Sequence, residues 1–197
     1  STHCISSAAS DVYKRQAYGV QGIYSAPGKA VKEAYDSAGV VANDRGITVW
    51  LKGNRVSRNQ IMAIKEESVT DQKNSLTVCL DNILRHAGIT RNTEYDLAQG
   101  KTAIQILEEN MTGVQVLDLS GCSLDAVLYY VNQDIPVLAI LEDGEAVLVT
   151  GFNEFNVVIM EPSTGKLYKK GMNDATTWFA ENGNHCLLYT SEAADDM

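Results

Sequence analysis

Gly144-Glu145-Ala146-Val147-Leu148-Val149-Thr150-Gly151-Phe152, followed by Val157-Val158-Ile159-Met160-Glu161-Pro162-Ser163-Thr164-Gly165, decides the architecture of this chain. Both stretches are short apolar runs rich in β-branched residues and bounded by turn chemistry, which is the pattern of buried strands. Asp143-Gly144 in front of the first run is a hairpin signal, because Gly supplies the positive φ such a turn needs. Asn153-Glu154 joins the run at 145–152 to the one at 155–161. Pro162-Ser163-Thr164-Gly165 turns the chain into a further strand at 166–170. Upstream, Pro136 opens a strand over 136–142. Downstream, Asn173 is placed to cap a last helix over 174–182. The segment from 136 to 182 therefore predicts an antiparallel meander closed by a helix.

Working outward toward the amino terminus, the period changes from two to 3.6. Ser75 to Ala87 places Leu76, Cys79, Leu80, Ile83, Leu84 and Ala87 on one helical face, with Gly88 as its stop. Thr102 caps a second helix through Ile104, Ile106, Leu107 and Met111; a short strand covers 114–117; Ser123 caps a third helix over 123–133. Helices grouped before a run of antiparallel strands define an α+β class. Before residue 70 the signals are weaker. Residues 17–27 read as linker, and 29–37 as a short helix ended by Gly39. Strands at 40–41 and 47–51 flank the turn cluster Asn43-Asp44-Arg45-Gly46, and 60–65 reads as another short strand. This extension is too small for a comfortable core of its own, so it is expected to pack on the larger domain or on a partner.

The chain has 197 residues, of which 45% are hydrophobic and 21% charged. That composition is the globular one, neither disordered nor membrane-spanning, and no apolar run approaches the roughly 20 residues a membrane helix requires. A formal net charge of -9, with no basic stripe, repels phosphate backbones and argues against a nucleic-acid partner. Residues 1–16 and 186–197 carry no periodicity that continues into their neighbours. Both resemble translated sequencing-adapter read-through of the kind seen on metagenomic reading frames and are set aside as non-native tails; the alternative is a real disordered or strand-forming terminus at 1–16 and a strand at 186–189. The organisation expected is thus tail 1–16, linker with short helix and hairpin 17–69, main domain 70–185, and tail 186–197. Outside the tails two cysteines remain, Cys79 and Cys122, without the spacing of a zinc site or a disulfide framework, and no metal or cofactor is implied.

The motifs at 144–152 and 157–165, with Ala175-Thr176-Thr177-Trp178-Phe179-Ala180-Glu181-Asn182-Gly183 after them, resemble the papain-like cysteine-peptidase domains of the bacteriocin-processing type. The resemblance covers roughly residues 70–184. That family usually shows Gly-His-Ala-Val-x-Val-x-Gly-Tyr, an Asp-Pro turn, and then a helix carrying a Trp. The third helix leading into a strand that starts Pro136-Val137 fits the same pattern. The resemblance implies a papain-like fold and a bacterial protein presented outside the cytoplasm.

The family's chemistry needs a thiolate at the amino-terminal end of the first helix, where the dipole lowers a cysteine pKa. It also needs a histidine base and an Asn or Asp to orient it. Carried onto this chain, the nucleophile position falls on Ser75, the histidine position on Glu145 and the orienting position on Glu161. All three residue types differ from the family's. The resemblance, so modified, implies a non-catalytic module that binds a peptide or protein segment, or serves an architectural role, in a larger bacterial protein. Two alternatives stand beside it. One is an active cysteine peptidase using Cys79 with Glu145 as base, and Gln72 as an oxyanion-hole donor. The other is a purely structural spacer. A face-to-face Glu145 and Glu161 would form an acid/base pair. Cys79 on an apolar face otherwise reads as a small core residue, His86 as a partner of the helix carboxyl end, and His185 as the edge of the tail. Trp178 and Phe179 read as packing; Trp50 reads as hairpin packing or as a surface anchor for a partner.

Overall fold

The structure is a computed structural model that describes residues 61–191 and, before them, the backbone of five short strands; side chains are described for residues 61–190. Those first strands are β1 (Thr2–Ile5), β2 (Val12–Gln16), β3 (Val20–Tyr24), β4 (Val40–Ala42) and β5 (Thr48–Leu51), in the order β3-β2-β1-β4-β5. β4 and β5 pair antiparallel with Val41 opposite Trp50, where a hairpin is expected from the sequence. β1 and β2 fall in the stretch read as a tail, and β3 in the stretch read as linker. The helix expected over 29–37 lies outside the described residues.

The main domain is built on a six-stranded sheet. Its strands are β6 (Val114–Asp118), β7 (Val137–Ile140), β8 (Ala146–Phe152), β9 (Asn156–Glu161), β10 (Lys166–Gly171) and β11 (His185–Ser191). The order is β10-β9-β8-β7-β11-β6, and every pairing is antiparallel. β8 is buried along its whole length, which is why its sequence shows no polar alternation. β11 corrects the boundary drawn at residue 185. It lies between β7 and β6, with Leu187 opposite both Leu138 and Asp118, and it buries Cys186, Leu187 and Leu188. The sheet is continuous only through Ser191.

Among the described residues five helices accompany the sheet: α1 (Ser75–His86), α2 (Glu94–Ala98), α3 (Ala103–Asn110), α4 (Leu124–Val131) and α5 (Met172–Glu181). α1 lies against β8. Val78, Cys79, Leu80, Ile83 and Leu84 are fully buried, and each large aliphatic side chain there contributes about 2 kcal/mol of transfer free energy. Four polar residues of α1, Ser75, Thr77, Asp81 and Asn82, are buried too. Asp81 and Asn82 are each 1% exposed, and both are satisfied: Asn82 Nδ2 donates to the Val78 carbonyl, and Asp81 accepts from Lys73 and Thr93. α3 opens with a full capping box in which Thr102 and Gln105 exchange side-chain bonds. Two local expectations need correction. α2 has only five residues and no apolar period, so it left no trace in the sequence pattern. α5 starts at Met172, after Gly171, rather than beyond Asn173. Met172 is buried and its N–H donates to the Phe155 carbonyl at 2.7 Å, which draws the helix start into the core.

Residues 61–69, assigned above to the extension, are a strap across the domain rather than a strand. Met62 and Ile64 are buried. A bulge between Val149 and Gly151 takes Thr150 out of the β8–β9 register, and the Thr150 carbonyl accepts the Met62 N–H at 3.1 Å. Farther along, the Val69 N–H donates to the Pro162 carbonyl at 3.0 Å, and Glu66 Oε1 accepts the Leu167 N–H of β10 at 2.9 Å. Gly165, at φ +68°, is required where the strap crosses, because a Cβ there would collide with Ser68 Oγ. The domain therefore begins near residue 61, not 70.

Candidate functional site

The strap delivers the chain to the amino-terminal end of α1 through a tight turn. The Thr70 N–H donates to the Lys73 carbonyl, while Thr70 Oγ1 accepts the N–H groups of Gln72 and Lys73. Asn74 then caps α1, its Oδ1 accepting both the N–H and the hydroxyl of Thr77 at 2.9 Å. Ser75 is thereby the first helical residue. On the other side, the turn at 141–145 closes with the Leu141 N–H on the Glu145 carbonyl and the Glu145 N–H on Asp143 Oδ1, so Glu145 stands at the mouth of β8. Between these two walls lies an open cleft of about 440 Å³, lined by residues 69–75 on one side and by Glu145 and Ser163 on the other.

The floor of the cleft is a tie between the walls. Ser75 Oγ accepts the Ala146 N–H at 2.9 Å, and Ser75 is only 3% exposed. Ser75, Glu145 and Gln72 are thus brought to one cleft. Gln72 is exposed there, and its backbone N–H serves the turn. Glu161 is not brought in. With Leu148 opposite Met160, Glu161 falls opposite Val147, diagonal to Glu145 on the same face. Its Oε2 accepts the Thr164 hydroxyl at 3.1 Å, and together with burial it pushes the neighbouring Tyr168 phenol up. Glu145 and Glu161 are thus diagonal, not directly opposite, across β8 and β9.

Cys79 sits one turn deeper, fully buried among Val78, Leu80 and Ile83. Burial, and secondarily the charge of Glu145, push its thiol well above the ordinary cysteine range. The wall at 73 is pinned from behind. Lys73 Nζ donates to Asp81 Oδ2 at 2.6 Å and lies 3.6 Å from Glu67; the hydrogen bond to Asp81 above all holds the ammonium pKa above its usual value. Asp81 Oδ1 in turn accepts the N–H and hydroxyl of Thr93 at 2.8 and 3.0 Å. This network was not singled out in the sequence, where Asp81 looks like any helix-surface carboxylate.

The remaining residues lie elsewhere. His86 is at the far end of α1, with Nε2 2.9 Å from the Asp134 carbonyl oxygen. His185 pairs with Ile140, which pairs with Ala146, so it is two strands away from the cleft, about 10 Å. Phe179 is core, and Trp178 is partly buried with the Lys170 ammonium 5.6 Å from its ring centroid. The side chain of Trp50 lies outside the described residues. Among the described residues no group of three or more His, Cys, Asp or Glu is arranged to hold a metal ion, and no helix is long and apolar enough to cross a membrane.

The helix-on-antiparallel-sheet arrangement, with the cleft where α1 meets the mouth of β8, is an α+β fold of the papain-like type found in C39-like peptidases. The particular solved structure that shows this is a C39-like peptidase from Bacillus anthracis, 14% identical, with a TM-score of 0.54 over 68% of this chain and 98% of that one. A double-glycine-motif protease from an AMS/PCAT transporter, solved with its leader peptide, is 12% identical at a TM-score of 0.46, over 68% of this chain and 94% of that one. Neither a protein-family profile nor a curated protein sequence matches this chain.

Proposed function

We propose that this domain is a papain-fold module without peptidase chemistry, which serves by holding a peptide or protein segment in the cleft between residues 69–75 and Glu145. The observation that carries this reading is the composition of the cleft at its reactive position: a serine hydroxyl on the floor and a carboxylate beside it, with neither thiol nor imidazole among the lining residues. A serine is a weak nucleophile unless a base takes its proton, and a carboxylate is poorly matched to that task near neutral pH, where imidazole titrates. The alternative nucleophile fares worse. A nucleophilic cysteine needs partial exposure and a partner that favours thiolate. Cys79 has no exposed surface, and Glu145 raises its pKa instead of lowering it.

The test compares the wild type with the double variant Ser75→Cys/Glu145→His. Incubated with a mixed peptide library at neutral pH, the wild type is expected to leave every peptide intact. The double variant is expected to gain rapid labelling by a thiol-directed epoxide at residue 75. Cleavage by the wild type, lost on Cys79→Ala, would falsify the reading. A cleft that binds no peptide in any titration would instead leave the spacer role.

A further inference from the structure

The cleft is asymmetric in charge, and the asymmetry is built in. Lys73 is the one cation among its lining residues, and its ammonium is engaged by Asp81 at 2.6 Å and faces Glu67 at 3.6 Å. Asp81 thus offsets that single positive charge, while Glu67 is shared with Lys65 and Arg85, each 3.3 Å from it. The acidic groups at the cleft are not matched in the same way. Glu145 is exposed, and its carboxylate has no hydrogen-bond or ion-pair partner among the described residues; Asp71 on the opposite wall is exposed as well. The field in the cleft is therefore negative, in a chain whose formal net charge is -9.

A second feature is independent of charge. Ser75 is 97% buried at the cleft floor, and its oxygen is used as an acceptor by the Ala146 N–H. Ser75 lines the cleft, and its hydroxyl has no acceptor among the described residues, so it is free to rotate and donate to a group placed in the cleft. A ligand that offers an acceptor at this point gains a hydrogen bond beyond the one Ser75 already makes with Ala146. A group that satisfies both features presents a carbonyl oxygen to Ser75 and a cation to Glu145, and a peptide carrying a basic side chain does so with adjacent atoms.

Resting on the binding reading above, we propose that the cleft selects a cationic peptide segment, with a main-chain carbonyl accepting the Ser75 hydroxyl and a Lys or Arg side chain set against Glu145. The Lys73–Asp81 pair keeps the wall in place and removes the one lining cation that would compete for Glu145.

The experiment is an NMR titration of amide resonances in the full chain at low salt, using end-blocked pentapeptides Gly-Gly-X-Gly-Gly with X as Lys, Leu or Glu. The Lys peptide is expected to bind about fivefold more tightly than the Leu peptide, the upper end for an exposed ion pair, and the Glu peptide more weakly than either. Shifts should centre on Ser75, Glu145 and Ala146. Glu145→Gln should erase the difference between Lys and Leu, while Ser75→Ala should weaken both alike. Equal binding of Lys and Leu peptides, or a Lys preference that survives Glu145→Gln, overturns the charge selection while leaving peptide binding intact. Absence of shifts with all three peptides, or shifts confined to another surface, overturns the binding reading and this inference together.

Discussion

One turn of α1 separates Ser75 from Cys79, and the two positions belong to different media. Ser75 lies at the floor of an open cleft, tied to Ala146 and next to a solvated carboxylate. Cys79 lies in a dry core, where burial pushes the thiol toward its neutral form. On the reading proposed above, the family's sulfur would stand at the first of these positions, and apolar packing at the second. Here the hydroxyl is at the mouth and the sulfur is in the packing.

Substitutions that cross this division should have unequal effects. The largest is expected from Cys79→Asp, which buries a carboxylate with no partner and should destabilise by about 4 kcal/mol or more in denaturant unfolding. Next comes Asp81→Ala. It strands the Lys73 ammonium and the buried Thr93 N–H, and should cost about 3 kcal/mol while loosening the 69–75 wall. Ser75→Ala should cost about 1–2 kcal/mol, because the buried Ala146 N–H loses its acceptor. The smallest effect is on pH dependence. The folded pKa of Lys73 is raised, so its contribution is complete below the ordinary lysine value near about 10.4 and fades as pH rises through the folded value. Burial works to raise the Glu67 pKa, but Lys65, Lys73 and Arg85 prevail and lower it. Its contribution is therefore complete above about 4.3 and fades on acidification through the folded value. Each change should stay below about 1 kcal/mol, read as the shift in unfolding midpoint between neutral and extreme pH.

The parts of this molecule that the sequence announced are those where one local signal is strong. Asp143-Gly144 and the apolar run behind it give β8, and the face from Val78 to Leu84 gives α1. The placement of Ser75 beside Glu145 was also legible, through the family spacing. What escaped was set by distant partners. β11 is a strand because β6 and β7 flank it, and its residues were read as a tail. The strap at 61–69 is fixed by the Thr150 bulge and by Pro162, far along the chain. Glu161 accepts the Thr164 hydroxyl through a turn geometry that residue type does not specify. The Lys73–Asp81–Thr93 network joins three segments with no periodic signature.

The contrast between the two positions on α1 is tested most directly by the reactivity of Cys79. In a Cys4→Ser variant at neutral pH, a thiol-directed peptidase inhibitor should leave Cys79 unlabelled in the native protein and modify it only after unfolding in denaturant, as read by mass spectrometry of its peptide. Rapid stoichiometric labelling of native Cys79, abolished by Glu145→Gln, would contradict the account and identify a working thiol.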